Sequence, residues 1–132
     1  MIKKITLILT LVFSLLGYCQ EKDCAKFRNG TFKITDPATK KSCIITRNGN
    51  TQTEKMEEGQ EIYDFDITWL DECTYTVTPT AATAARNKEV QKIGTMTVKI
   101  LQVKDSSYVQ RVTVATNPKF RRVDEVFVVR EK

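Results

Sequence analysis

The sequence predicts an all-β fold: one small antiparallel meander of about eight strands, closed into a barrel or rolled into a strongly curved sheet. Three observations carry this prediction. Apolar residues recur at every second position through most of the chain after residue 30, the period of a strand with one buried face. Thr and Val, which suit a pleated surface, are abundant there. Short turn signals also punctuate the alternation, and strands joined by short turns pair in chain order. Closing such a meander removes the open edges that invite aggregation. A two-layer β-sandwich is the second architecture compatible with the pattern.

The first nineteen residues read as a leader, which leaves 20–132 as a single β domain. Met1-Ile2-Lys3-Lys4 is basic, and Ile5 to Leu16 is an almost unbroken apolar run. That run is too short to span a bilayer as a helix but suits the core of a secretory signal. Gly17 and Cys19 are small residues at the −3 and −1 positions of a cut before Gln20. The competing reading makes Cys19 a lipidated residue, the one route by which the protein would be held at a membrane. The bulky Tyr18 beside Cys19 argues against it.

The β elements follow in order. Thr31–Asp36 alternates, with Phe32 and Ile34 on one face. Cys43–Arg47 and Thr51–Glu57 flank Asn48-Gly49, a strong hairpin signal. After the Glu58-Gly59-Gln60-Glu61 turn, Ile62–Leu70 places Tyr63, Phe65, Ile67 and Trp69 on one face and Asp64, Asp66 and Thr68 on the other. Leu70-Asp71-Glu72 turns the chain into Cys73–Thr78, and this turn's length decides which way Tyr75 points. Thr95–Val103, Ser107–Thr116 and Val123–Arg130 complete the set, separated by Asp105-Ser106 and Asn117-Pro118. The alanine-rich segment between Thr80 and Gly94 breaks the alternation. Thr80 can cap a helix start and Gly94 can end one, so a short helix is expected over 81–92, as a surface connection or lid.

Composition narrows the function. The chain has no histidine, which excludes His-based acid/base catalysis, Ser-His and Cys-His nucleophile pairs and His-ligated zinc. No phosphate-binding loop, dinucleotide fingerprint or nucleophile elbow is present. The sequence therefore points to no enzyme and no cofactor. The net charge of +5 falls to +3 without the leader's two lysines, and Lys40-Lys41 and Arg121-Arg122 are too sparse for a nucleic-acid surface. Cys24, Cys43 and Cys73 remain after the leader. An odd count in an exported chain implies one bridge and a spare thiol, with the pairing open. No Cys-x-x-Cys spacing suggests a metal.

Face arithmetic supplies the candidate site. An even-length loop at Asn48-Gly49 puts Ile45 and Arg47 on the same face as Gln52, Glu54 and Met56. A four-residue turn at 58–61 would then set Met56 opposite Tyr63 and Glu54 opposite Phe65. Arg47, Gln52 and Glu54 thus point the same way as Tyr63, Phe65, Ile67 and Trp69, the best candidate for an interior face. An interior Arg needs a partner, and Glu54 is the available carboxylate. Arg47, Gln52, Glu54, Tyr63, Phe65 and Trp69 are the candidate ligand-binding residues, a polar group inside an apolar cup able to hold the head of a small amphipathic molecule. The plainer reading makes the polar group a buried structural pair, the aromatics core, and the protein a solid envelope interaction protein.

Three stretches carry a family resemblance: Cys24-x-x-Phe27-Arg28-x-Gly30-x-Phe32, Ile45-x-Arg47 followed by Gln52-x-Glu54, and Trp69-x-x-Glu72-Cys73-x-Tyr75. Residues 24–75 resemble a group of small exported proteins from flavobacteria and their relatives, often labelled DNA topoisomerase IV. The resemblance implies a Cys24–Cys73 disulfide, with Cys43 as the departure, and singles out Arg47, Gln52 and Glu54. The label implies large DNA-gate and ATPase domains and acidic Mg²⁺ sites, none of which a small exported β domain offers. Gly30-x-Phe32 is also similar to the Gly-x-Trp start of lipocalins and fatty-acid-binding proteins, which implies a lipocalin-like barrel.

Overall fold

Strand pairing in the computed structural model follows chain order. The structure describes residues 23–130; the leader, its cleavage site and Cys19 lie outside the described residues. The strands are β1 (Gly30–Thr35), β2 (Ser42–Asn48), β3 (Thr51–Met56), β4 (Ile62–Trp69), β5 (Thr74–Pro79), β6 (Met96–Val103), β7 (Ser107–Val114) and β8 (Asn117–Val128). Each pairs antiparallel with the next, and β8 returns to β1 to close the barrel. Closure rests on Phe32↔Val128 and Lys33↔Phe127, extended by Val129 N–H to the Thr31 carbonyl at 2.9 Å. The fold is therefore the meander barrel, not an open curved sheet or a sandwich.

One end of the barrel is plugged. A 3₁₀ turn, Ala25–Phe27, crosses it, and Phe27 is fully buried against Tyr108 and Phe32, with ring centroids 4.7 and 6.3 Å away. The disulfide Cys24–Cys73 ties this plug to the β4–β5 turn. Below it, Phe32, Ile45, Phe65, Ile67, Val98 and Ile100 form the packed core.

The opposite end carries two short helices where one was expected: α1 (Ala81–Arg86) and α2 (Lys88–Ile93). Asn87 divides them. Its extended backbone ends α1, and its side chain accepts the Val90 N–H at 3.1 Å to start α2. Thr83 departs from the expected surface connection. It is fully buried, and its hydroxyl accepts the Asp64 N–H at 2.9 Å, which docks α1 on β4. Gly94 ends α2 at φ +68°, in the left-handed region.

Two registers differ from expectation. Glu54 pairs with Tyr63 and Gln52 with Phe65, a slip of two residues from the predicted alignment. Met56 stays paired with Cys43, and the Glu57 N–H bonds to the Ser42 carbonyl, so the end of β3 follows β2 and leaves β4 early. An even slip preserves every face, so the polar and aromatic residues still point inward. The last hairpin turns at Ala115-Thr116 rather than Asn117-Pro118, and β8 starts at Asn117. Pairing shifts between Thr113↔Arg121 and Val114↔Asn117, which leaves Pro118, Lys119 and Phe120 bulged out. A bulge suits Pro118, which has no N–H for the ladder.

Candidate functional site

Arg47 occupies the floor beneath the plug, 2% exposed. β2 brings it inward in step with Ile45. Three aromatic rings surround the guanidinium: Phe32, Tyr75 and Tyr108, at 4.6, 4.9 and 5.6 Å from Cζ. Its donors reach four neutral acceptors. Nε donates to Gln52 Oε1 (2.8 Å), Nη1 to the Phe27 carbonyl (3.0 Å), and Nη2 to the hydroxyls of Tyr75 (2.7 Å) and Tyr108 (2.6 Å). Burial works against the charge, but the Tyr75 and Tyr108 oxygens and the Glu54 carboxylate outweigh it and raise the Arg47 pKa.

The expected direct Arg47–Glu54 pair is replaced by a bridge. No ion pair joins them among the described residues, and Gln52 stands between, its amide N–H donating to Glu54 Oε1 at 3.4 Å. The reason is register: Gln52 is the residue directly opposite Arg47, while Glu54 lies opposite Ile45, two residues further from the plug.

On the side of this floor away from the plug, the barrel is not filled. A cavity of about 420 Å³ rises between apolar walls that include Ile45, Val77, Val98, Val112 and Val114. Arg47, Gln52, Glu54, Tyr75 and Gln110 face its lower part. Its mouth is bordered by α2 through Lys92 and Ile93, and by the β8 bulge through Phe120. The volume falls within the usual range of small-molecule sites, roughly 300–1,000 Å³.

Of the six candidate residues, the structure brings Arg47, Gln52 and Glu54 together at this cavity and places the three aromatics elsewhere. Tyr63 sits toward the helical end, its hydroxyl donating to Glu61 at 2.5 Å and accepting from Asn87 at 3.1 Å. Phe65 belongs to the packed core. Trp69 packs on Tyr75 with centroids 4.6 Å apart, and Arg28 lies 4.8 Å from its ring. Phe27, Tyr75, Tyr108 and Gln110 are the site residues that the sequence reading did not select. The alternation of Tyr108, Gln110, Val112 and Val114 along β7 carried the signal for two of them. Among the described residues, no group of three or more Cys, Asp or Glu side chains is placed to hold a metal ion.

Glu54 is half-buried, walled in by the barrel but open to the cavity on one side. Burial pushes its carboxyl up to about 7, against the opposing pull of Arg47 and Gln52. Cys43, further along β2, is pushed to about 11 by burial and by Glu54. A carboxyl raised on folding keeps its proton in the native state where the unfolded chain has lost it, so stability falls as pH rises. The loss begins near the unfolded value of 4.5 and is complete above about 7. Its size is on the order of 3 kcal/mol at one unit per 1.4 kcal/mol. Asp36, Asp71 and Glu125 are lowered acids whose contributions are already present above the ordinary carboxylate range, and Cys43 titrates above the window. Urea midpoints should therefore drop between pH 5 and 8 in the wild type and stay nearly level in Glu54→Gln. Parallel pH profiles would remove Glu54 as the cause.

Comparison with protein-family models, with curated proteins and with solved structures finds no match for the chain.

Proposed function

We propose that this protein is an exported, non-catalytic binding barrel that carries or captures a small amphipathic molecule. The observation that carries the reading is the cavity of about 420 Å³, apolar along its walls and polar at its floor, where Arg47, Gln52 and Glu54 meet. An apolar cup with a few converging polar groups is the usual form of a small-ligand site. Export is supported by the basic leader and its apolar run, and by the likeness of residues 24–75 to small exported proteins. The topoisomerase label of that group plays no part in the reading.

Native mass spectrometry of the mature protein, followed by titration with an apolar fluorescent probe, tests the proposal. A co-purifying small molecule, or saturable uptake of one probe per barrel that weakens when Val112→Trp fills the cup, is the expected result. A clean apo mass with no probe uptake counts against it. A second reading, an envelope protein acting through its outer surface, is favoured by Val123, Phe127 and Val129, which are exposed along the outer face and end of β8. A protein rather than a small molecule in the native mass would support that alternative.

A further inference from the structure

The cavity floor offers its ligand a specific pair of hydrogen-bonding groups, and Arg47 is not one of them. A guanidinium has five N–H donors, and the four bonds already described engage all three of its nitrogens. No two-pronged fork is left for a carboxylate to accept. What Arg47 does is orient its neighbours. It has no acceptor, so Gln52 must meet it with Oε1, which turns the Gln52 amino group toward Glu54. The Tyr75 hydroxyl accepts from Arg47 and has its own hydrogen to place. Burial holds that phenol protonated, with its pKa raised well above the ordinary value. Tyr108 also accepts from Arg47 and lies 3.4 Å from Tyr75, so its hydrogen can go to Tyr75, and the Tyr75 hydrogen then goes to Gln110 Oε1, also at 3.4 Å.

Besides one N–H on Arg47 Nη1, two groups are left over. Gln110 is only 5% exposed, lines the cavity, and its amide nitrogen donates to no protein acceptor among the described residues. Glu54 Oε2 accepts no hydrogen bond among the described residues, while Oε1 holds only the long bond from Gln52. β3 and β7 stand four strands apart in a barrel of eight, so Glu54 and Gln110 face the cavity from opposite walls. An empty donor confronts an empty acceptor across the floor.

Resting on the binding function proposed above, we infer that the ligand is an amphipathic molecule with a carboxamide-type head, its N–H donating to Glu54 and its C=O accepting from the Gln110 amide. A carboxylate head of the same length would face the Glu54 carboxylate at the floor, where the Arg47 fork is already taken. An alkylammonium would satisfy Glu54 but leave the Gln110 donor unpaired and meet the Arg47 charge. An alcohol must donate to Glu54 and accept from Gln110 through one oxygen, whereas the amide places its donor and its acceptor on two separate atoms. A site built around buried polar groups rejects analogues that leave them unpaired. With a water-sized group taking about 30 Å³, the cavity holds roughly a dozen heavy atoms, which an eight-carbon amide fits.

The test is a head-group series at pH 8: octanamide, octanoate, octylamine and 1-octanol, titrated calorimetrically into the mature protein and into Gln110→Leu and Glu54→Gln. Octanamide should bind about tenfold or more tighter than octanoate, and tighter than the amine and the alcohol. In Gln110→Leu the octanamide-to-octanol ratio should collapse toward unity while octanol still binds. The wild-type series stands by itself if a variant fails to fold. Equal affinities, or octanoate or octylamine as the tightest ligand, would overturn the carboxamide assignment and leave the binding function intact. An undiminished ratio in a folded Gln110→Leu would do the same. If no member binds, the binding function itself falls, and this inference with it.

Discussion

Replacing Arg47 by Met should destabilise the protein by about 3–5 kcal/mol, the range for breaking one side of a buried polar network. Met is flexible and apolar and can occupy the box of Phe32, Tyr75 and Tyr108, so the packing loss is small. The loss comes from what stays behind. The Phe27 carbonyl and Gln52 Oε1 lose their donor inside the barrel, and the Tyr75 and Tyr108 hydroxyls each lose an accepted hydrogen bond, keeping only their long bonds to each other and to Gln110. Each buried polar group stranded this way costs roughly 1–3 kcal/mol. Arg47 also joins the plug to β2, β5 and β7, so its loss loosens the contact between the 3₁₀ turn and the barrel. Arg47→Lys should recover only part of the stability, because an ammonium has three donors on one atom and cannot reproduce the planar fork. Urea unfolding followed by Trp69 fluorescence measures the change. A midpoint for Arg47→Met within about 1 kcal/mol of the wild type would mean that the network contributes little to stability, since the usual scatter of surface substitutions is roughly half that size.

The part of this network that was legible in the sequence is the part with local geometry. The two-residue loop Gly49-Asn50, with Gly49 at φ +62°, ties β2 to β3 at a register that chain distance alone could suggest. From it the inward set Arg47, Gln52 and Glu54 follows by parity. Parity also tolerates a β3–β4 register two residues from the predicted one, because strands have a period of two and the slip is even. What parity does not give is depth. Tyr63, Phe65 and Trp69 share an inward orientation with Arg47 but sit at different heights of a tilted barrel, so none of them meets the cavity. Phe27 and Tyr108 were out of reach for another reason. Their contacts to Arg47 span 20 and 61 residues and exist only once the barrel has closed and the plug is in place. The break at Asn87 had a readable cap signal, Asn three residues before Val90, but the run of alanines masked it. Pro118 read as a turn because a proline interrupts a ladder, and a bulge interrupts it equally well.

Removing the Cys24–Cys73 bridge, as Cys24→Ala with Cys73→Ala, should cost about 4 kcal/mol on the chain-entropy model for a loop of this size. The bond spans 49 residues of sequence and encloses all of β1 through β4, so it restricts much of the unfolded chain. Cys24 is fully buried at the plug, and truncation to Ala removes little volume there, so the loss falls mainly on the constraint. For a domain near this length, a loss of 4 kcal/mol lowers the melting temperature by roughly 15 °C. The single variants should behave like the double one rather than re-bridge through Cys43. Cys43 lies at the far end of β2 from Arg47, paired with Met56 and Ile34, so it stands toward the opposite end of the barrel from the plug. Within the cost of the bridge there is a functional component. The plug carries the Phe27 carbonyl that accepts from Arg47, and an untethered plug frays before the barrel opens. Hydrogen exchange in the double variant should therefore rise first at Phe27 and Arg28, whose N–H groups bond within the turn, and only at stronger denaturation along β2 and β7. Uniform exchange across plug and barrel, with an unchanged melting temperature, would mean that the disulfide neither stabilises the fold nor holds the floor of the cavity in place.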